Sequence, residues 1–136
     1  MNVLNYESVA LDDDNGALII LDQTKLPCEI NFLHLKDVKE IWQAIYKLQV
    51  RGAPAIGIAA AFGLYLAAKN FDVDDFETFF ARLHEAKEYL NSSRPTAVNL
   101  SWALNRMEKT AELNRDKKIS EIKILLRDEA VKIKAE

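Results

Sequence analysis

The stretch V-R-G-A-P-A-I-G-I-A-A-A-F-G, from Val50 to Gly63, is the most apolar part of the chain and predicts a buried central helix. Pro54 is predicted at the first position of this helix, because proline presets φ and its missing N–H would lack an acceptor there. The uncharged run Ala53–Ala68 falls short of the ~20 residues that a bilayer span needs, and it contains a proline and two glycines. We therefore expect a buried helix and no membrane insertion.

The bulk composition is that of one soluble globular domain. The 136 residues include 49% hydrophobic and 29% charged residues, with a formal net charge of -3. This balance favours neither a nucleic-acid partner nor a membrane-surface partner. The single cysteine, Cys28, excludes an internal disulfide and suits a reducing compartment. The first residues, M-N-V-L-N-Y-E-S, have no signal-peptide pattern, so we expect a cytoplasmic protein.

Turn signals and periodicity predict an α+β fold. Residues 1–35 are expected to form a three-stranded antiparallel meander, with Asn15-Gly16 as a tight type I′ hairpin turn. Residues 36–136 are expected to form a bundle of about five helices. Two of these helices are predicted to begin at Asp37 and Asp74, because each is followed three residues later by a glutamate.

The apolar stripe of the last predicted helix ends without a glycine or another C-terminal cap. Its members are Ile122, Leu126, Ala130 and Ile133. A frayed terminal helix is one explanation, but we expect further protein after Glu136, in the same chain or on a partner. We also expect this stripe to be exposed and to drive formation of a homo-oligomer, or contact with the missing part.

The segment R-G-A-P is a candidate anion site. The free amides of Ala55 and Ile56, together with the helix dipole, are expected to attract an anion. Gly52 and Ala53 have little or no side chain, so a ligand oxygen can approach the backbone. Arg51 adds a permanent, fork-shaped charge that suits phosphate. No G-K-[ST] follows, so this is not a Walker loop, and a plain connection with a solvated arginine is the alternative.

A second segment, S-S-R-P-T-A-V-N, repeats this pattern near residue 95. Arg94 stands to Pro95 much as Arg51 stands to Pro54, and a fourth helix is expected to start near this proline. The two arginines can share one anionic ligand only if the two helices pack side by side with like polarity, or meet across a cleft. Three hydroxyl groups lie near this helix start and can either cap the helix or donate to a phosphate oxygen. They belong to Ser92, Ser93 and Thr96.

Other polar residues are weaker candidates, and we predict no metal site. Each histidine is expected to be structural or solvated, and Cys28 has no partner histidine nearby in the sequence. Acidic groups lie at a helix start and in a turn, where the helix dipole and turn chemistry explain them. These residues are His34 and His84, then Asp72, Asp74, Asp75 and Glu77, and Asp12, Asp13 and Asp14.

Three motifs carry a family resemblance that covers essentially the whole chain. They are L-D-Q-T-K-L-P from Leu21, V-R-G-A-P-A-I-G-I-A-A-A-F-G from Val50, and S-R-P-T-A-V-N-L-S-W-A-L from Ser93. Together they resemble the N-terminal part of the methylthioribose-1-phosphate isomerases. That family belongs to a superfamily shared with regulatory subunits of the eukaryotic translation-initiation exchange factor and with ribose-1,5-bisphosphate isomerases.

The resemblance implies an N-terminal domain, residues 1–136, which precedes a larger Rossmann-like domain in full-length members. The implied reaction turns an aldose 1-phosphate into a ketose 1-phosphate in methionine salvage, without a cofactor. The resemblance assigns the substrate phosphate or its neighbouring hydroxyls to Arg51, Gly52, Ala53 and Arg94. The family's catalytic cysteine and aspartate belong to the Rossmann-like domain and have no counterpart here, so no catalytic residue is assigned.

We therefore expect the phosphate-binding part of a sugar-phosphate isomerase, inactive without its catalytic domain. Its expected partners are a sugar phosphate and that missing domain. Three alternatives stay open at this point: a ribose-1,5-bisphosphate isomerase, a regulatory-subunit-like module that acts by assembly, and a severed remnant that contributes only packing.

Overall fold

The computed structural model describes residues 9–47, 49–50 and 52–135, with Ala53 described by its backbone alone. Within these ranges a three-stranded antiparallel sheet precedes five α-helices, which confirms the predicted α+β class. None of the described helices has the length and apolar character that crossing a bilayer requires. The strands are β1 (Val9–Asp12), β2 (Ala17–Leu21) and β3 (Phe32–Leu35), and the helices are α1 (Val38–Tyr46), α2 (Ala53–Lys69), α3 (Phe76–Asn91), α4 (Val98–Leu113) and α5 (Ile119–Ala135).

The sheet has the order β1-β2-β3, and the β1–β2 hairpin is confirmed, but its predicted type I′ turn is wrong. Asp12 pairs with Ala17, so the loop between them has four residues and not two. Asn15 donates from its backbone and its side chain to the Asp12 carboxylate, at 3.3 and 2.8 Å. Gly16 takes the positive φ, at 64°. Side-chain hydrogen bonding in the acidic loop therefore favours a wider turn.

The hairpin loop is tied to the helices through Asp13. The Tyr65 hydroxyl of α2 donates to the Asp13 carboxylate at 2.6 Å, and the Lys69 ammonium lies 3.0 Å from the same oxygen. The Arg127 guanidinium of α5 lies 3.6 Å from the second carboxylate oxygen. One carboxylate thus joins the sheet to the C-terminal half of α2 and to α5.

Helix α2 is the buried centre of the bundle, as the opening motif predicts. Contacts at its two ends show in which direction α5 and α4 run relative to it. The Lys123 ammonium at the start of α5 donates to the carbonyl oxygens of Lys69 and Phe71, at the end of α2, so α5 runs antiparallel to α2. On the other side, a Cβ built on Gly57 would lie 3.1 Å from the Asn99 carbonyl oxygen. The starts of α2 and α4 are therefore adjacent, and these two helices run parallel.

The helix boundaries confirm one predicted cap and correct another. Asp37 and Glu40 form the predicted capping box at the start of α1. Helix α3 is capped by Asp75, and not by Asp74 as predicted; the Asp75 carboxylate accepts from the backbone N–H and the hydroxyl of Thr78, both at 2.8 Å. Because Thr78 supplies two donors to one carboxylate, the cap moves by one residue.

The apolar stripe of α5 is buried, which corrects the expected exposure. Ile122, Leu126 and Ala130 are 0% exposed, and Ile133 is 6% exposed. Helix α5 packs this stripe against α2 and α4. The homo-oligomer remains a prediction, but it loses this basis. The most exposed large apolar side chains on α4 are those of Val98, Leu113 and Trp102.

Candidate anion-binding site

Helix α2 begins one residue earlier than predicted. Its N-cap is Gly52, with φ 88° and ψ 137°, a region that favours glycine, and Pro54 takes the second helical position. The Ile56 amide donates to the Gly52 carbonyl oxygen at 3.0 Å, so it is not free as the sequence suggested. Because Pro54 has no N–H, the amides that have no acceptor within the helix are those of Ala53 and Ala55.

Helix α4 begins at Val98 and not near Pro95, which corrects the second predicted helix start. The Ser92 and Ser93 hydroxyls donate backward to the carbonyl oxygens of Tyr89 and Leu90, at 2.5 and 2.6 Å. These serines therefore complete the C-terminus of α3 and do not cap α4. The N-cap of α4 is Ala97.

Helices α2 and α4 share a feature that α1 and α3 lack. Asp37 and Asp75 cap α1 and α3 with their carboxylates, whereas neither Gly52 nor Ala97 provides a side-chain cap. The first amides of a helix have no partner within it, and the helix dipole adds a partial positive charge. Two neighbouring helices of this bundle therefore present uncapped, electropositive ends.

Both uncapped ends line one cavity of about 300 Å³. The parallel packing of α2 and α4 brings them together, which is one of the two arrangements that a shared ligand requires. Gly52 exposes backbone without a Cβ on the α2 side. The lining residues are Gly52, Ile56, Arg94, Ala97, Val98, Asn99 and Leu100.

Among the described residues that line this cavity, Arg94 is the one with a cationic side chain. It is half-buried, and among the described residues no carboxylate forms an ion pair with it. The structure thus brings Gly52 and Arg94 to one cavity, as the sequence predicted. Arg51 and the side chain of Ala53 lie outside the described residues, so their part in binding an anion stays a prediction.

A second cavity, of about 350 Å³, adjoins the first and has a different character. Val98 and Asn99 line both cavities. None of the described residues that line the second cavity is charged: they are Pro54, Gly57, Ile58, Val98, Asn99, Trp102 and Ile133. Sequence reasoning missed this cavity. Its one signal was the apolar pair Val98 and Trp102, four residues apart and off the buried stripe of α4.

The weaker candidates lie outside this site. His34 and Cys28 are exposed, and the exposed His84 ring places Nδ1 2.7 Å from a Glu108 carboxylate oxygen, a contact that lies outside both cavities. Across residues 9–47, 49–50 and 52–135, no three histidine, cysteine or acidic residues are grouped so as to hold a metal ion.

Fold and cavity together define a small α+β domain with a cavity between two parallel helix starts. The chain belongs to the Initiation factor 2 subunit family, whose profile matches residues 49–136. The matched range contains both helix starts and all residues of the anion cavity. This confirms the superfamily resemblance of the sequence motifs.

Two curated relatives are named isomerases of sugar 1-phosphates. The chain is 55% identical over 130 residues to the methylthioribose-1-phosphate isomerase of Symbiobacterium thermophilum, covering 96% of this chain and 36% of that protein. It is 50% identical over 129 residues to the 5-deoxyribose 1-phosphate isomerase of Clostridium botulinum, covering 95% of this chain and 37% of that protein. The chain therefore spans little more than a third of the length of these relatives.

Two solved structures share the fold. The 5-methylthioribose 1-phosphate isomerase of Pyrococcus horikoshii superimposes with a TM-score of 0.87 at 38% identity, covering 98% of this chain and 39% of that one. The subunit delta of translation initiation factor eIF-2B from A. fulgidus superimposes with a TM-score of 0.85 at 37% identity, covering 95% of this chain and 36% of that one. The same fold thus occurs in relatives with enzymatic names and in one with a translation-factor name.

Proposed function

We propose that this chain is the phosphate-binding part of an aldose–ketose isomerase that converts 5-methylthioribose 1-phosphate into 5-methylthioribulose 1-phosphate in methionine salvage. The observation that carries the proposal is the cavity lined by two uncapped helix starts and by Arg94, for which the described part of the chain provides no ion-pair partner. The isomerase names of the two curated relatives described above support the substrate. A cytoplasmic location is part of the proposal and rests on the single cysteine.

The chain contributes binding and orientation. The substrate phosphate accepts from the amides of Ala53 and Ala55 and from the Arg94 guanidinium, and Arg51 is its predicted second cation. A phosphate held on several sides fixes the neighbouring C1 and C2 atoms of the sugar, between which the reaction moves hydrogen. The acid and base groups come from the part of the relatives that this chain does not span.

The apolar cavity supports the methylthio substrate over a bisphosphate. A 5-methylthio group is apolar, and it suits a cavity lined by Ile58, Trp102 and Ile133. A phosphate on C5 of the sugar would need a cation or free amides in this cavity. The described residues that line it include no charged side chain. The two adjoining cavities therefore match the two chemically different ends of 5-methylthioribose 1-phosphate.

A regulatory-subunit-like module is the second candidate. It is favoured by the family name and by the likeness to the A. fulgidus eIF-2B subunit delta. Such a module would use the same cavity to sense a sugar phosphate and would perform no chemistry. Binding alone does not separate the two candidates, but catalysis by the completed protein does.

The test of the proposed site compares two arginine variants of the 136-residue protein. Both inorganic phosphate and methylthioribose 1-phosphate are expected to raise the melting temperature of the wild type. Arg94→Ala is expected to weaken each affinity by about 10–100-fold, which corresponds to one charged hydrogen-bonding partner. Arg82→Ala is the matched control, because Arg82 is an exposed arginine of α3 outside both cavities. Unchanged affinity in Arg94→Ala, or an equal loss in Arg82→Ala, contradicts the proposal.

A further inference from the structure

The motif L-D-Q-T contains a buried carboxylate that the proposed site does not use directly. Asp22 is 1% exposed. One of its carboxylate oxygens accepts from the Thr24 backbone N–H at 3.0 Å and from the Thr24 hydroxyl at 2.6 Å. The other accepts from the Gln49 side-chain amide at 3.2 Å. Within the described ranges no cationic side chain forms an ion pair with Asp22.

Gln49 is held by its backbone as well as by its side chain. The Gln23 N–H donates to the Gln49 carbonyl oxygen at 2.9 Å. The amides of Gln49 and Val50 both donate to the Ala44 carbonyl oxygen near the end of α1, at 2.9 and 3.3 Å. The Val50 side chain is 2% exposed. Residues 49–50 are therefore fixed between α1 on one side and the segment after β2 on the other.

This anchored segment leads directly to the anion cavity. Gly52 follows Val50 by two residues, lines the cavity and sets the backbone direction with which α2 begins. The amides at the start of α2 point along the helix axis. Their aim at a phosphate therefore depends on how the chain enters the helix, and the contacts between Asp22 and Gln49 constrain that entry.

Asp22 caps the short 3-10 helix Gln23–Lys25 with one oxygen, and its second oxygen reaches Gln49, outside that helix. A carboxylate in the interior loses hydration, and Asp22 offsets that loss with three hydrogen bonds and, among the described residues, no ion pair. An apolar side chain at this position would avoid the loss of hydration but would leave the Thr24 and Gln49 donors without their acceptor. A hydrogen-bonded carboxylate specifies one orientation of its donors, which an apolar contact does not do.

We propose that Asp22 and Gln49 are positioning residues for the phosphate site. Their hydrogen bond orients the segment that enters α2, and neither side chain touches the phosphate. This inference rests on the proposed function, because it assumes that the cavity binds a phosphate.

The test measures the affinity of the 136-residue protein for inorganic phosphate, together with amide hydrogen exchange. Asp22→Ala and Gln49→Leu are each expected to weaken phosphate binding by about tenfold or more, as expected when a binding group is misdirected. Exchange of the Gln23 and Val50 amides is expected to accelerate in both variants. Asp22→Asn is expected to retain near-normal affinity, because the Gln49 amide can turn over and accept from the new amide group.

Asp13→Ala is the matched control for general destabilisation. Asp13 also accepts several hydrogen bonds, but it contacts the opposite end of α2. Its loss is expected to lower stability and to leave phosphate affinity unchanged. A wild type that does not bind phosphate overturns the proposed function and this inference with it. A wild type that binds, with the same affinity in Asp22→Ala or with an equal loss in Asp13→Ala, overturns this inference alone.

Discussion

At the residue scale, the pKa of Asp13 is set by two opposing effects: partial burial, and hydrogen bonds and positive charges around the carboxylate. Partial burial alone raises the pKa of this carboxyl group. Hydrogen bonds from Tyr65 and Lys69 and the charges of Lys69 and Arg127 lower it by more, so the pKa lies below its usual value. Burial, followed by the hydrogen bond to Asp13, raises the pKa of Tyr65, which stays neutral and donates.

The first prediction concerns the pH dependence of this cluster. Because the pKa of Asp13 is lower in the folded state than in the unfolded chain, the ionised carboxylate stabilises the fold above the unfolded pKa. That contribution is lost as the pH falls through the lower, folded pKa. Asp13→Asn is expected to reduce the free energy of unfolding at pH 7 by about 1–2 kcal/mol. Measured by urea unfolding between neutral and acidic pH, the difference between variant and wild type should shrink on acidification; a constant difference would contradict the assignment.

At the element scale, the uncapped start of α4 links stability to binding. A residue with a carboxylate at the N-cap accepts from the third helical amide and stabilises a helix by about 0.5–2 kcal/mol relative to alanine. Ala97 forgoes that gain at the mouth of the anion cavity. This is expected where the free amides serve a ligand, because function commonly costs stability at a binding site.

The second prediction follows from this trade. Ala97→Asp is expected to raise the free energy of unfolding and to weaken phosphate affinity by about tenfold or more, because it occupies the amides and repels the anion. Ala97→Ser separates the two effects, since a hydroxyl caps without charge. Chemical unfolding and phosphate titration of the same samples provide the measurement. Tighter phosphate binding by Ala97→Asp would contradict the hypothesis that the amides at the helix starts bind the phosphate.

The third prediction concerns the contact between α2 and α4. Gly57→Ala places a methyl group 3.1 Å from the Asn99 carbonyl oxygen and 3.6 Å from the Ala103 side chain. Alanine normally favours a helix over glycine by about 1 kcal/mol, but crowding against backbone should reverse the sign and cost about 1–3 kcal/mol. Because α2 must move away from α4, phosphate affinity should also fall.

Gly63→Ala is the comparison for that variant. A methyl group at Gly63 would lie 3.0 Å from a methyl group of Ile41 on α1, away from the anion cavity. It is expected to destabilise the protein without changing phosphate affinity. Loss of affinity in both variants would mean that the α2–α4 spacing has no specific role.

At the scale of the whole molecule, the chain spans little more than a third of its isomerase relatives. The fourth prediction is that the 136-residue protein binds methylthioribose 1-phosphate without converting it. Joining it to the remaining segment of a relative should restore ketose formation, as measured by product analysis. Turnover by the short protein would contradict the division of roles, and binding without turnover in the joined protein would favour the regulatory module.

The sequence by itself determined the class of fold, the central helix and the two segments that carry the candidate site. These follow from local properties: apolar periodicity, proline and glycine geometry, and sequence motifs that are long enough to be specific. It also assigned Gly52 and Arg94 to one phosphate site. It wrongly expected a free amide at Ile56, and it expected the serines before Arg94 to cap α4 or to donate to a phosphate. Those partners depend on whether a donor faces its own helix or the preceding one, which spacing does not reveal.

Only the tertiary structure decided that α2 and α4 run parallel, that their uncapped starts share a cavity, and that an apolar cavity adjoins it. It also decided that the α5 stripe is buried and that Asp22 reaches Gln49, 27 positions away along the chain. These features arise from packing between elements that are distant in sequence. Local patterns indicate the chemistry of each helix end, but packing between distant elements decides which ends share a cavity.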